Sequence, residues 1–264
     1  DIGTQVIRKE PGSAIAHELR GVAHARLAAN ALGSRADSLH AAAEGDLERA
    51  VQLDGSRAGA WNALSVLRQM SADFERAALY ANQALDADEF MLERQEIVHR
   101  LVRIDTDRAR FPQAASQCRN GRQEYPDNPR FVECHLFLAI LDPANLISTD
   151  SATSLFRTLR EMSQPQTAWN YVSVFRETLR GRIWARNGRP DSALAILDRM
   201  RAIVQADTLM TIPFHFDAGH VLLVAGDTAG AIREIQKYAD ENPRFLKYIK
   251  EGVTFKSIAQ RIHD

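Results

Sequence analysis

The residues of this chain that could do chemistry are few and scattered. The densest string is His215-Phe216-Asp217-Ala218-Gly219-His220. Two imidazoles and a carboxylate are metal ligands by type. A spacing of five, however, turns the two histidines about 140° apart on a helix, whereas an i, i+4 pair would share a face. The string therefore reads as structural. Glu44, Asp46, Glu48 and Arg49 read as the polar side of a helix, the setting of ordinary surface ion pairs. Asp105, Asp107 and Arg108 crowd a helix end with no nucleophile or histidine motif beside them, and read as a solvated cap and turn. Gly33-Ser34-Arg35 and Gly55-Ser56-Arg57 lack the Gly-Lys-Ser/Thr that a phosphate loop needs. No Ser-His-Asp set assembles. Cys118 and Cys134 are too few for a disulfide framework and lack zinc-ligand spacing, so they read as two buried small hydrophobes or as a single bridge. The chain reads as non-catalytic, with no metal and no cofactor.

Bulk properties narrow the classes further. Acidic and basic residues nearly cancel, giving a formal charge of −1, which is no footprint for nucleic acid. No apolar run is long enough for a transmembrane helix. Arginine outnumbers lysine 28 to 5, a bias expected of a GC-rich bacterial genome. The first residues lack Met and a signal-peptide pattern, so residues 1–11 read as the remnant of a preceding segment.

What must position these residues is helical throughout. Aromatic and β-branched residues are sparse against Ala and Leu, and apolar spacing follows the helix period from about residue 12 to the end. Gly, Pro, Asn and Asp punctuate it every 14 to 20 residues. The helices also repeat. Leu19-Arg20-Gly21 returns as Leu179-Arg180-Gly181, and Asn128-Pro129-Arg130-Phe131 as Asn242-Pro243-Arg244-Phe245. Gly181, Gly188 and Ala193 are followed 38 residues later by Gly219, Gly226 and Ala231.

This register resembles the tetratricopeptide repeat, a helix pair of about 34 residues with a Trp, Leu, Gly, Tyr, Ala, Phe, Ala, Pro framework. Trp61, Leu64, Ser65, Ala77, Ala81 and Ala84 carry the clearest copy, with Ser65 in place of the usual Gly. His215 falls where another copy would hold Trp. The resemblance implies an all-α, right-handed solenoid in one domain spanning 1–264. Helix pairs are expected near 12–53, 57–87, 90–125, 129–163, 168–206 and 211–241. A basic-faced capping helix is expected over 244–262.

The resemblance also implies the function. First helices of such pairs line a concave face that binds peptides, so the chain is expected to be a protein-binding or assembly scaffold. The register turns Asn62, Val66, Gln69 and Met70 inward, and Asn170 follows Trp169 as Asn62 follows Trp61. Matching lysines for a carboxylate clamp are absent. The second expectation is a C-terminal helical-repeat sensor module of a larger bacterial kinase or transcription regulator, binding a small effector. Self-association is a further expectation, because the N-terminal end reads as uncapped. By framework position, Cys118 and Cys134 should be neighbours between the third and fourth pairs. A bridge there would point to an oxidising compartment and export, and its absence to the cytoplasm.

Overall fold

The computed structural model describes residues 2–29, 31, 33–88, 92–162, 171–205 and 208–263. All of its regular elements are helical, and no strand occurs among the described residues. The chain divides into two compact units, Asp1–Ile104 and Asp105–Asp264.

The first unit opens with α1 (Ile2–Lys9), then pairs α2 (Ala14–Ala29) with α3 (Gly33–Leu53) and α4 (Ala58–Met70) with α5 (Phe74–Ala87). The helix α6 (Arg94–Asp107) contains the division. The second unit continues with α7 (Phe111–Glu124), α8 (Arg130–Leu141), α9 (Thr149–Glu161), α10 (Tyr171–Arg186), α11 (Pro190–Val204), α12 (Thr208–Val224) and α13 (Thr228–Glu241). Sequence punctuation explains the starts. Asp73, Ser148 and Asp227 each accept a backbone N–H of their helix's first turn, and Pro112 and Pro190 sit in first turns, where no N–H is needed.

A backbone signature fixes one register for four pairs. The turn from first to second helix contains Ala72, Ala109, Gly188 and Gly226, with φ of 56°, 55°, 73° and 93°. Glycine takes this left-handed conformation freely, while the two alanines bear a cost of about 1–2 kcal/mol. Counting back seven residues from each gives Ser65, Val102, Gly181 and Gly219, the close-packing position. Ser65 is tolerated there because its buried hydroxyl donates to the Ala77 carbonyl of the facing helix at 2.8 Å.

Residues 2–9, within the stretch expected as a remnant, form the helix α1, and the Arg20 guanidinium of α2 donates to its Thr4 hydroxyl. One expectation needs correction. The stretch expected as one helix over 244–262 is broken. It runs as a 3-10 turn (Pro243–Phe245), the six-residue α14 (Leu246–Glu251) and two further 3-10 turns (Val253–Phe255 and Ala259–Arg261), because Gly252 is extended. Its side chains Ile249, Phe255, Ile258 and Ile262 are nonetheless buried with Val221 and Ile235 of the last pair. The helix α12 carries Pro213 inside it.

Candidate functional site

In the first unit, Asn62, Val66, Gln69 and Met70 lie at i, i+4, i+7 and i+8 on α4 and so share one face. All four are half-buried. The Asn62 side-chain oxygen accepts from the Arg100 guanidinium at 2.6 Å, which ties α4 to α6. The same register assigns His99 and Arg103 to this face from α6. Behind it, Trp61 donates its indole N–H to the Gly55 carbonyl at 2.9 Å and leans on Tyr80. Asn170 lies outside the described residues, and the register through Gly188 gives the place of Asn62 to Thr178 instead.

In the second unit the equivalent inner positions are Asp107 on α6, Thr178 and Arg182 on α10, and Phe216 and His220 on α12. They are not an open wall. Arg182 and His220 are each 1% exposed and Asp217 2%. Arg182 donates to Asp217 Oδ1 at 2.7 Å, to the Thr178 hydroxyl at 2.9 Å and to His220 Nδ1 at 3.0 Å. Since a guanidinium can only donate, Nδ1 is the acceptor and the His220 proton sits on Nε2. Burial, and then the neighbouring Arg182 charge, hold His220 well below its ordinary pKa of 6.5, so the ring is neutral. A buried guanidinium paired with one carboxylate and satisfied by further acceptors is the arrangement that makes burial of charge tolerable.

The histidine string thus separates. His215 goes instead to Glu234, with its Nδ1 2.6 Å from Oε2, and Arg201 reaches the same carboxylate at 3.1 Å. The hydrogen bond from His215 leads, against burial, in lowering the Glu234 pKa. Among the described residues no three His, Cys, Asp or Glu side chains gather into a metal-holding set, and no helix is long and apolar enough to cross a membrane.

Two charged groups read as surface prove to be buried. Asp46 is a hub that joins α3 to α2: Arg20 donates to both its oxygens at 2.7 Å, and His17 Nδ1 lies at 3.1 Å. Burial raises its pKa, but hydrogen bonds from Arg20 and His17 outweigh that and leave the carboxyl below its ordinary value. Asp107 is also buried, and it accepts from the Tyr248 hydroxyl at 2.9 Å, 141 residues along the chain. Neither contact has a local sequence signal, because both depend on which helices become neighbours. The structure also joins Cys118 to Cys134 as a disulfide, their Cα atoms 6.1 Å apart, within the span a bridge requires.

Comparison with solved structures settles the fold. A tetratricopeptide repeat protein from Parabacteroides merdae aligns with a TM-score of 0.63 at 15% identity, covering 98% of this chain and 88% of that one. The chain has the tetratricopeptide-repeat fold. The Cut9–Hcn1 hetero-tetramer of the APC/C gives a TM-score of 0.61 at 11% identity, over 100% of this chain. This chain spans only 45% of that structure's chain. No family model matches, and no curated protein does. Within the tetratricopeptide framework, the aligned positive-φ turns identify α4, α6, α10 and α12 as first helices.

Proposed function

We propose that this protein is a non-catalytic binding scaffold that holds a protein or peptide partner on the inner faces of its tetratricopeptide-type pairs. The observation that carries the reading is the α4–α6 face of the first unit. Asn62, Val66, Gln69 and Met70 share it, half-buried and chemically mixed, with His99 and Arg103 in the same register. Such a face offers amide hydrogen bonding, an adaptable thioether and positive charge to an extended chain. A photo-crosslinking side chain at Gln69 or Met70 of the full chain should capture one reproducible partner, and one at the exposed Gln83 of α5 should not. Capture from Gln83 alone would place binding on the outer surface and end the reading.

Self-association belongs to the same proposal. On α2, Ile15, Leu19 and Leu27 are 55%, 64% and 55% exposed, and with Ala23 they form an i, i+4 apolar stripe on the side away from α3. Leu19→Glu should lower the concentration-dependent mass seen by sedimentation velocity. A wild type that stays monomeric at high concentration would remove this part of the proposal.

A further inference from the structure

The C-terminal stretch of the second unit touches the inner positions themselves. Tyr248 donates its hydroxyl to Asp107 at 2.9 Å, and Asp107 is the α6 residue in the place that Met70 holds on α4. The Phe255 ring stands edge-on to Phe216, with centroids 5.0 Å apart, and meets His220 at 5.7 Å. Phe216 and His220 hold the places of Asn62 and Val66. His220 in turn accepts from Arg182, which pairs with Asp217, so the Phe255 ring rests on a side chain tied to the charged pair of α10 and α12. Two aromatic anchors therefore lie on inner positions, one at Asp107 where α6 ends and one on α12.

The stretch is built as a strap. Short helical turns broken at Gly252 leave it few backbone bonds of its own, and side-chain anchors hold it. Its charge is lopsided, with Arg244, Lys247, Lys250, Lys256 and Arg261 against Glu251. Lys247, Lys256 and Arg261 are exposed, while Phe255 and Ile258 are buried. The anchors thus face the repeat, and these three basic groups face water.

We infer that residues 243–262 are a self-ligand on the inner face of the second unit, and that the outside partner of this face is a peptide with aromatic anchors, which binds by displacing them. The inference rests on the reading of inner faces as binding surfaces. A tethered occupant acts at an effective concentration on the order of mM, so the free chain binds such a peptide weakly until the strap is loosened.

The test uses the full chain and a fluorescent peptide of residues 243–262. Phe255→Ala should bind the peptide at least about tenfold more tightly than wild type, the kind of gain expected when an intramolecular competitor is weakened. The same peptide lacking the Phe255 ring should not bind. In hydrogen exchange on the wild type, residues 246–262 should open ahead of α12 and α13, and Tyr248→Phe should speed that opening while leaving both helices protected. The inference is overturned if the segment opens only together with α12 and α13, if Phe255→Ala is folded yet binds no better, or if Phe255→Ala fails to fold. Crosslinking from Gln69 and Met70 reports on the first unit alone. Failure there would sink the general scaffold reading, and failure here would sink only the self-ligand.

Discussion

At the residue scale, packing rather than chemistry assigns most of the unusual side chains. Gly121 and Gly181 look alike in sequence, since both are small residues on helices, but their surroundings differ. A β-carbon on Gly181 would meet Ala193 O and Val221 Cγ1 at 3.6 Å, ordinary contact. One on Gly121 would fall within the Phe131 ring, which stacks on Tyr125. Gly181→Ala should therefore stabilise by about 0.5–1 kcal/mol through helix propensity. Gly121→Ala should cost about 1–3 kcal/mol through overpacking. Thermal melts of the two variants should move in opposite directions. His220 gives a pH signature. Its pKa in the fold lies well below the ordinary 6.5, so below that pH the unfolded chain takes up a proton that the fold refuses. Stability should be full above pH 6.5 and fall below it, by up to about 1.4 kcal/mol per pH unit. His135, also lowered mainly by burial, acts in the same direction. Denaturation midpoints between pH 7 and 5 should fall less steeply in His220→Gln. An unchanged slope would mean that the ring titrates in the fold.

At the element scale, much was legible because many helix boundaries carry their own chemistry. Aspartate caps, prolines in first turns and left-handed glycines mark the pairs, and Ser65 announced its close-packing place through Trp61 and Leu64 around it. What was not legible depends on contacts far apart in sequence. Asp46 and Asp107 sit among charged neighbours and read as surface, yet Arg20 and Tyr248 meet them in the interior. The α1 helix is too short for its periodicity to stand out. Gly252 was the visible warning that the C-terminal stretch would break. The link between α7 and α8 supplies a further test. A Cys118–Cys134 bridge closes a 16-residue separation and would stabilise by about 3 kcal/mol. Both sulfurs rest against the Phe131 carbonyl, at 3.6 and 3.3 Å, where thiols could donate once reduced. Thiol counting on unfolded, unreduced protein should find no reactive thiol, and reductant should lower the melting temperature. Two reactive thiols would exclude the bridge and, with it, the case for an oxidising compartment.

At the scale of the whole molecule, each unit uses one repeated register differently. In the first unit the inner positions carry a mixed, half-buried face on α4 and α6. In the second they carry a buried Arg182–Asp217–His220 set, with Phe255 edge-on to its histidine. The sequence pattern showed the register but not that contrast, because tenancy of a face is decided by a segment far along the chain. The central claim is that a partner is held by the inner face. Its most direct measurement is a titration of the partner captured from Gln69 or Met70 against full-length Met70→Glu and Leu79→Glu, each shown to melt like the wild type. Met70 lies on the α4 inner face, and Leu79 is 53% exposed on α5. Burying an unpaired carboxylate at a contact costs several kcal/mol, so Met70→Glu should weaken binding at least about tenfold, with Leu79→Glu within about twofold of wild type. Equal losses from both variants, or a loss from Leu79→Glu alone, would contradict the account.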